Sequence, residues 1–219
     1  MHEHVVNSIL DEVLVMNKLI FIEGVSGVGK TTIVASLHNK LRDMGNTFVC
    51  HLEGDCENPL DPFNGKYPPA MPLSLFVETY TNCWRLFMKN QFQQEPKIIF
   101  DGTLLHHQIN DLIRNYNAPD EVIVSHLTNL LQIVETMKPI VFYLNSGDVG
   151  QRLLHARESR GQSIPTKEQI AFWENRKRID LFVLERLLAK SHILNVDYGW
   201  DLVLEMMMKC VTGQAKSTL

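Results

Sequence analysis

The stretch Gly24, Val25, Ser26, Gly27, Val28, Gly29, Lys30, Thr31, Thr32 constrains the fold of this chain more than any other. Its spacing is G-x-x-x-x-G-K-[ST], a pattern that carries meaning only between a strand and a helix. Both flanks fit. Lys18 to Glu23 is a short, nearly continuous apolar run, as in a strand buried on both faces of a parallel sheet. Beyond the loop, Ile33, Val34, Leu37, Leu41 and Met44 recur at helical spacing, and Gly45 stands where such a helix would stop. The glycines let successive backbone N–H groups turn inward around an anion, and the helix N-terminus adds partial positive charge. The segment Gly24 to Thr32 therefore predicts a phosphate cradle. In it Lys30 reaches the β and γ phosphates as a point charge, the Thr31 hydroxyl holds Mg2+, and Thr32 faces the α phosphate.

A chain of 219 residues can bury one substantial core, and nothing divides it convincingly, so one domain over 1–219 is expected. Lys and Arg number 21 against 25 Asp and Glu, a formal charge of -4, which offers no broad positive surface for nucleic acid. A small-molecule phosphoryl acceptor is the expected partner, and a homodimer stays open. Hydrophobic residues make up 45%, yet no apolar run approaches the roughly 20 residues of a membrane helix. The four cysteines, Cys50, Cys56, Cys83 and Cys210, lack C-x-x-C spacing, and a nucleotide cradle belongs where ATP is, so a reduced cytoplasm is expected. His2 and His4 read as part of a mobile terminus, and residues 212–219 as a frayed tail.

Alternation of strand and helix patterns continues along the chain. Thr47 to Glu53 reads as a second strand, followed by a loop from Gly54 to Pro72 that holds five prolines and is long enough to suggest a task. A helix over Leu73 to Gln93 precedes a third strand, Lys97 to Asp101. Helices over Thr103 to Tyr116 and Pro119 to Met137 lead to a strand from Pro139 to Leu144. A helix through Arg152 and Arg157, a hinge at Gly161 to Thr166, and a long helix to Lys190 follow. His192 to Val196 is a fifth strand and Trp200 to Val211 a last helix. The pattern predicts a three-layer α/β fold, a five-stranded parallel sheet with helices on both faces and a helical lid over about 150–172.

Other features narrow the chemistry. The chain lacks an N-K-x-D guanine-reading signature, and its third strand ends Phe100-Asp101-Gly102 without the Asp-Glu pair that activates water in many motor ATPases. Arg157 and Arg160 are three apart on one helical face, while Arg152 points elsewhere, so the later pair is expected to close over phosphates. Arg176, Lys177 and Arg178 read as a solvated face. Asp101 is expected to organise Mg2+, and Glu53 or Asp55 to take the acceptor's proton. Adjacent His106 and His107 point about 100° apart and are not a metal pair. Tyr80, Trp84 and Phe87 read as core, with Trp84 and Phe63 retained as acceptor contacts.

With these residues in place, the arrangement resembles the nucleoside and nucleotide kinase branch of the P-loop kinases, including the thymidylate kinase-like members. The resemblance implies ATP and Mg2+ as cofactors and a general-base carboxylate near the end of the second strand, where Glu53 and Asp55 stand. It also implies lid arginines at Arg157 and Arg160. Where many relatives follow the third strand with Asp-Arg or Glu-Arg, this chain has Asp101-Gly102-Thr103. A kinase acting on a sugar or antibiotic, and a nucleotide-responsive ATPase or switch acting on a protein partner, are the alternatives.

Overall fold

The structure is a computed structural model that describes residues 18–53, 58–64, 66, 68–91, 97–187 and 190–213. Its strands are β1 (Leu19–Glu23), β2 (Val49–His51), β3 (Ile98–Asp101), β4 (Pro139–Asn145) and β5 (Lys190–Asn195). The helices are α1 (Lys30–Asp43), α2 (Leu73–Gln91), α3 (Gln108–Tyr116), α4 (Asp120–Ile133), α5 (Val149–Glu158), α6 (Lys167–Leu184) and α7 (Trp200–Val211). The strands form one sheet in the order β2-β3-β1-β4-β5, and every pairing is parallel.

The period of two along each strand divides the interior into two cores. Leu19 and Phe21 of β1, Ile98 and Phe100 of β3, and Val141 and Tyr143 of β4 face one side, under Trp84 of α2, Leu127 of α4 and Val183 of α6. Ile20 and Ile22, Ile99, and Ile140 and Phe142 face the other, under Leu37 of α1 and Met207 of α7. Each such residue, fully buried, contributes roughly 1.5–3 kcal/mol. Because β1 lies between β3 and β4, the crossovers leave in opposite directions from its neighbourhood, and a crevice opens at its carboxyl end. The phosphate-loop segment occupies that crevice.

Several boundaries differ from the sequence expectation. β2 is cut to three residues because it is an edge strand paired only with β3, and its Val49 is half exposed. Glu53 therefore sits in a turn beyond the strand. The helix expected from Thr103 begins instead as a π-type turn, Thr103–His107, before α3. Pro119 caps α4 rather than lying in its first turn, and α4 stops at Ile133 ahead of a 3-10 turn over Glu135–Met137 and Lys138 at φ 51°. α6 ends at Leu184 and β5 starts at Lys190. Asp55, Cys56, His2, His4 and residues 214–219 lie outside the described residues. Among the described residues no helix is long and apolar enough to cross a membrane.

Candidate active site

The loop between β1 and α1 is shaped by glycines at positive φ, Gly24 at 147°, Gly27 at 82° and Gly29 at 94°. Crowding reinforces the requirement at all three, a Cβ on Gly24 lying 2.8 Å from the Leu144 carbonyl oxygen. A Cβ on Gly29 would lie 2.5 Å from the Trp200 ring, and one on Gly27 2.9 Å from the Arg152 carbonyl oxygen. α7 and α5 are thus packed against the loop at distances only glycine permits.

At the start of α1, Lys30 is buried; its Nζ donates to the Gly24 carbonyl at 3.2 Å and pairs with Glu53 Oε2 at 3.1 Å. The Thr31 hydroxyl donates to Asp101 Oδ2 at 2.6 Å. The other carboxylate oxygen of Asp101, Oδ1, is buried with no hydrogen-bond partner. Burial raises the Asp101 carboxyl above its ordinary range, against the pull of the Lys30 charge. An unpartnered carboxylate oxygen beside a hydroxyl is a hard-oxygen set that suits Mg2+. Among the described residues no group of three His, Cys, Asp or Glu side chains can hold a metal. A cation held by Thr31 and Asp101 would complete its shell with water and phosphate oxygens.

Behind Lys30 lies a second layer of buried polar groups. Glu23, the last residue of β1, is fully buried and accepts from the backbone N–H groups of Leu104 at 2.7 Å and His106 at 3.1 Å. The π-type turn thus wraps around this carboxyl. Burial pushes the Glu23 carboxyl up to about 8 in spite of those bonds and of Lys30. His106 stacks on Trp173, with ring centres 5.3 Å apart, and its Nε2 lies 3.2 Å from Glu53 Oε1. Burial, with the Lys30 charge, pushes the imidazole down to about 3. The ring is therefore neutral at pH 7, and facing a carboxylate assigns the proton to Nε2, leaving Nδ1 buried and unpartnered. Burial tends to raise the Glu53 carboxyl, but the hydrogen bond from His106 and the Lys30 charge outweigh it and hold the group well below the usual carboxylate range.

The predicted arginines share one cleft, and Arg160 reaches a second. Arg160, just past the end of α5, lines a cleft of about 520 Å³ together with Lys30, Thr31, Thr32, Glu53 and His107. Arg157 lines the adjoining cleft together with Arg160, and its Nη1 donates to the Ser163 carbonyl at 3.1 Å. Arg152 turns away to pair with Asp197 at 2.8 Å.

Arg176 corrects the expectation of a solvated face. It is 1% exposed, pairs with Asp180 one turn along α6 at 2.7 Å, and donates to the His106 carbonyl and to Asn110. Lys177 donates to the Ser146 carbonyl, and only Arg178, paired with Asp120, is largely solvated. Trp84 is likewise core and not an acceptor contact, since its ring is fully buried and its indole N–H donates to the Leu60 carbonyl. Phe63 packs against Phe76 and Tyr80. Sequence reasoning missed Glu23, His106 and Trp200. A carboxylate directly before the first loop glycine was the available signal for Glu23; Trp200 had none.

No protein-family model matches the chain, and no curated protein is similar to it in sequence. Its backbone does match solved structures. The YorR protein of Bacillus subtilis, crystallised in complex with phosphorylated GDP, matches over 88% of this chain and 95% of its own, with a TM-score of 0.57 and 14% identity. This chain has a P-loop nucleoside kinase-like fold. Deoxyadenosine kinase from M. mycoides is also similar. With dCTP bound it shows a TM-score of 0.48, 18% identity and coverage of 89% and 98%; with dATP bound, 0.47, 20%, and 87% and 97%. Lys30, Thr31 and Asp101 meet because α1 starts beyond the carboxyl end of β1 and Asp101 is the last residue of the adjacent strand β3.

Proposed function

We propose that the protein is an ATP- and Mg2+-dependent phosphotransferase that moves a γ-phosphoryl group to a small metabolite, a nucleoside or nucleotide. The observation that carries this is the convergence of Lys30, Thr31 and Asp101 on the glycine loop, facing Glu53 and Arg160 across one cleft. YorR, crystallised with phosphorylated GDP, is a precedent for a phosphorylated nucleotide on this fold. Bound MgATP would supply the phosphoryl group and neutralise part of its charge.

The chain's own residues have distinct tasks in this proposal. The backbone of Gly24 to Thr32 cradles the phosphates, and Thr31 with Asp101 would hold Mg2+ through the hydroxyl and the unpartnered carboxylate oxygen. Lys30 exchanges its contacts with Gly24 and Glu53 for phosphate oxygens and stabilises charge on the migrating group. Arg160 approaches the same group from the lid, and Arg157 stands behind it. Toward a hydroxyl acceptor, Glu53 is the proton acceptor, with Asp55 the second carboxylate of that segment. Asp101-Gly102 has no second acid at the strand end to activate water, which favours transfer over hydrolysis.

The test is mass-spectrometric detection of new phosphoesters after incubation with MgATP and a panel of nucleosides, nucleotides, sugars and aminoglycosides. A product formed by the wild type and reduced at least 100-fold in Lys30→Ala is expected, in line with loss of charge stabilisation in the transition state. Near-normal transfer by Lys30→Ala, or ADP formation with no phosphorylated product, would overturn the proposal.

A further inference from the structure

Lys30, Glu53 and His106 converge over Gly102, the residue that follows β3. A Cβ there would lie 3.2 Å from Lys30 Cε, 3.3 Å from Glu53 Oε2 and 3.3 Å from His106 Cβ, at a φ of 67° that already favours glycine. The bare backbone at this position lets the π-type turn bring an imidazole across to Glu53, beyond the end of β2.

The histidine and the carboxylate are held very unequally. His106 is buried and braced three ways: its N–H donates to Glu23, its carbonyl accepts from Arg176 at 3.0 Å, and its ring stacks on Trp173 with the planes 18° apart. Glu53 lies in a turn past a three-residue edge strand, with its side chain 34% exposed. Its carboxylate is held by Lys30 on Oε2 and by His106 on Oε1. Of these two contacts, phosphoryl transfer removes the first, because the ammonium is needed on the migrating group. What then keeps Glu53 in place is the imidazole N–H, 3.2 Å away. Uncharged at pH 7, that donor orients the carboxylate without cancelling the negative charge that a proton acceptor has to keep.

We infer that His106 is a positioning residue for Glu53, its Nε2–H holding Oε1 while Oε2, released by Lys30, takes the proton of an acceptor hydroxyl. This rests on the proposed kinase activity and adds a residue to it. The acceptor oxygen forms a bond to the γ phosphorus as the bond from that phosphorus to the β–γ bridging oxygen breaks. ADP leaves with the electron pair, and the proton stays on Glu53. Trp173 and Arg176, which brace His106, both come from α6, so the position of the proton acceptor is set by the packing of that helix against the turn.

The deciding experiment offers the full chain and MgATP a set of nucleosides and, in parallel, their 5′-monophosphates, with products read by mass spectrometry. The proteins are wild type, Lys30→Ala, His106→Phe, His106→Gln, Glu53→Gln and the double variant of Glu53→Gln with His106→Phe. Phe keeps the stack on Trp173 and loses the donor, whereas Gln loses the stack and places an amide N–H near the position of Nε2. Lys30-dependent phosphorylation of a nucleoside is expected. His106→Phe should lower kcat about 10- to 100-fold, as for loss of a hydrogen bond to a charged group, with KM for MgATP changed by less than about threefold. His106→Gln should stay within about fivefold of wild type, and His106→Phe should cost less than about twofold once Glu53 is Gln. Should His106→Phe not fold, His106→Asn, whose amide stops short of Glu53, takes its place with the same expected loss. An unchanged kcat in His106→Phe, an equal loss in His106→Gln, or a full further loss in the double variant would overturn the role of His106 and leave the kinase standing. Product from monophosphates alone would do the same, since their attacking oxygen, with a second pKa of about 6, is already ionised and needs no base. ADP release with no phosphorylated product from either set would overturn the kinase itself, and His106 with it.

Discussion

At pH 7 the His106 ring is uncharged: removal from water and the positive charges of Lys30 and Arg176 disfavour imidazolium, and Glu53 alone favours it. The unfolded chain has no such bias, so between about 3 and 6.5 it binds a proton that the folded protein refuses, and stability rises with pH. This contribution is complete above 6.5 and is lost as pH falls toward 3. Glu23 runs the opposite way. Its carboxyl titrates near 8 when folded and 4.5 when unfolded, so its contribution is complete below 4.5 and lost as pH rises through 8. Denaturant titrations of wild type and His106→Gln at pH 5 and pH 7 separate the two, because Glu23 acts on both proteins alike. On acidification the wild type should lose about 2 kcal/mol more than the variant, and equal losses would refute the buried neutral ring. Lys30, Thr31 and Asp101 were legible because a short motif and a strand end define them locally. Glu23 and His106 were not, since their bonds span 81 and 83 residues, a separation no local pattern encodes.

Helix α6 shows how an element decides the meaning of its residues. Arg176, Lys177 and Arg178 are consecutive charges and so read as one exposed patch, but a helix turns about 100° per residue and aims them in three directions. The inward one, Arg176, meets Asp180 four residues on, and Asp180 also accepts from the Tyr143 hydroxyl of β4 at 3.1 Å. Through the His106 carbonyl, the same guanidinium ties α6 to the turn around Glu23. Removing one partner strands a buried charge, so Arg176→Met should destabilise the protein by about 3–5 kcal/mol. Adding Asp180→Leu should recover most of that loss in the same denaturant measurement, and no recovery would mean that the pair contributes by packing alone. The bounds of α7 were legible in full, whereas β2 was overread because its pattern continues beyond the three residues that pair with β3.

For the molecule as a whole, the five strands and the two-sided layering followed from the alternation of apolar strand and helix patterns. The order β2-β3-β1-β4-β5 did not, since each pairing joins segments far apart in the chain. One sheet shared by both cores should make them unfold together. The tryptophans report on each side, Trp84 within one core and Trp200 packed against the other. Variants retaining only Trp84 or only Trp200 should show the same denaturation midpoint by fluorescence, and separate midpoints would mean that the faces melt independently. The central place of β1 also has a consequence during synthesis. Leu19 pairs with Ile98 on one edge and with Pro139 on the other, so its second partner is translated about 120 residues later. At ribosomal speeds of about 5–20 residues per second, that is a wait of roughly 6 to 24 s. Until then the nascent β1 is an apolar ribbon with at least one edge unpaired, open to chaperones and to other chains emerging nearby.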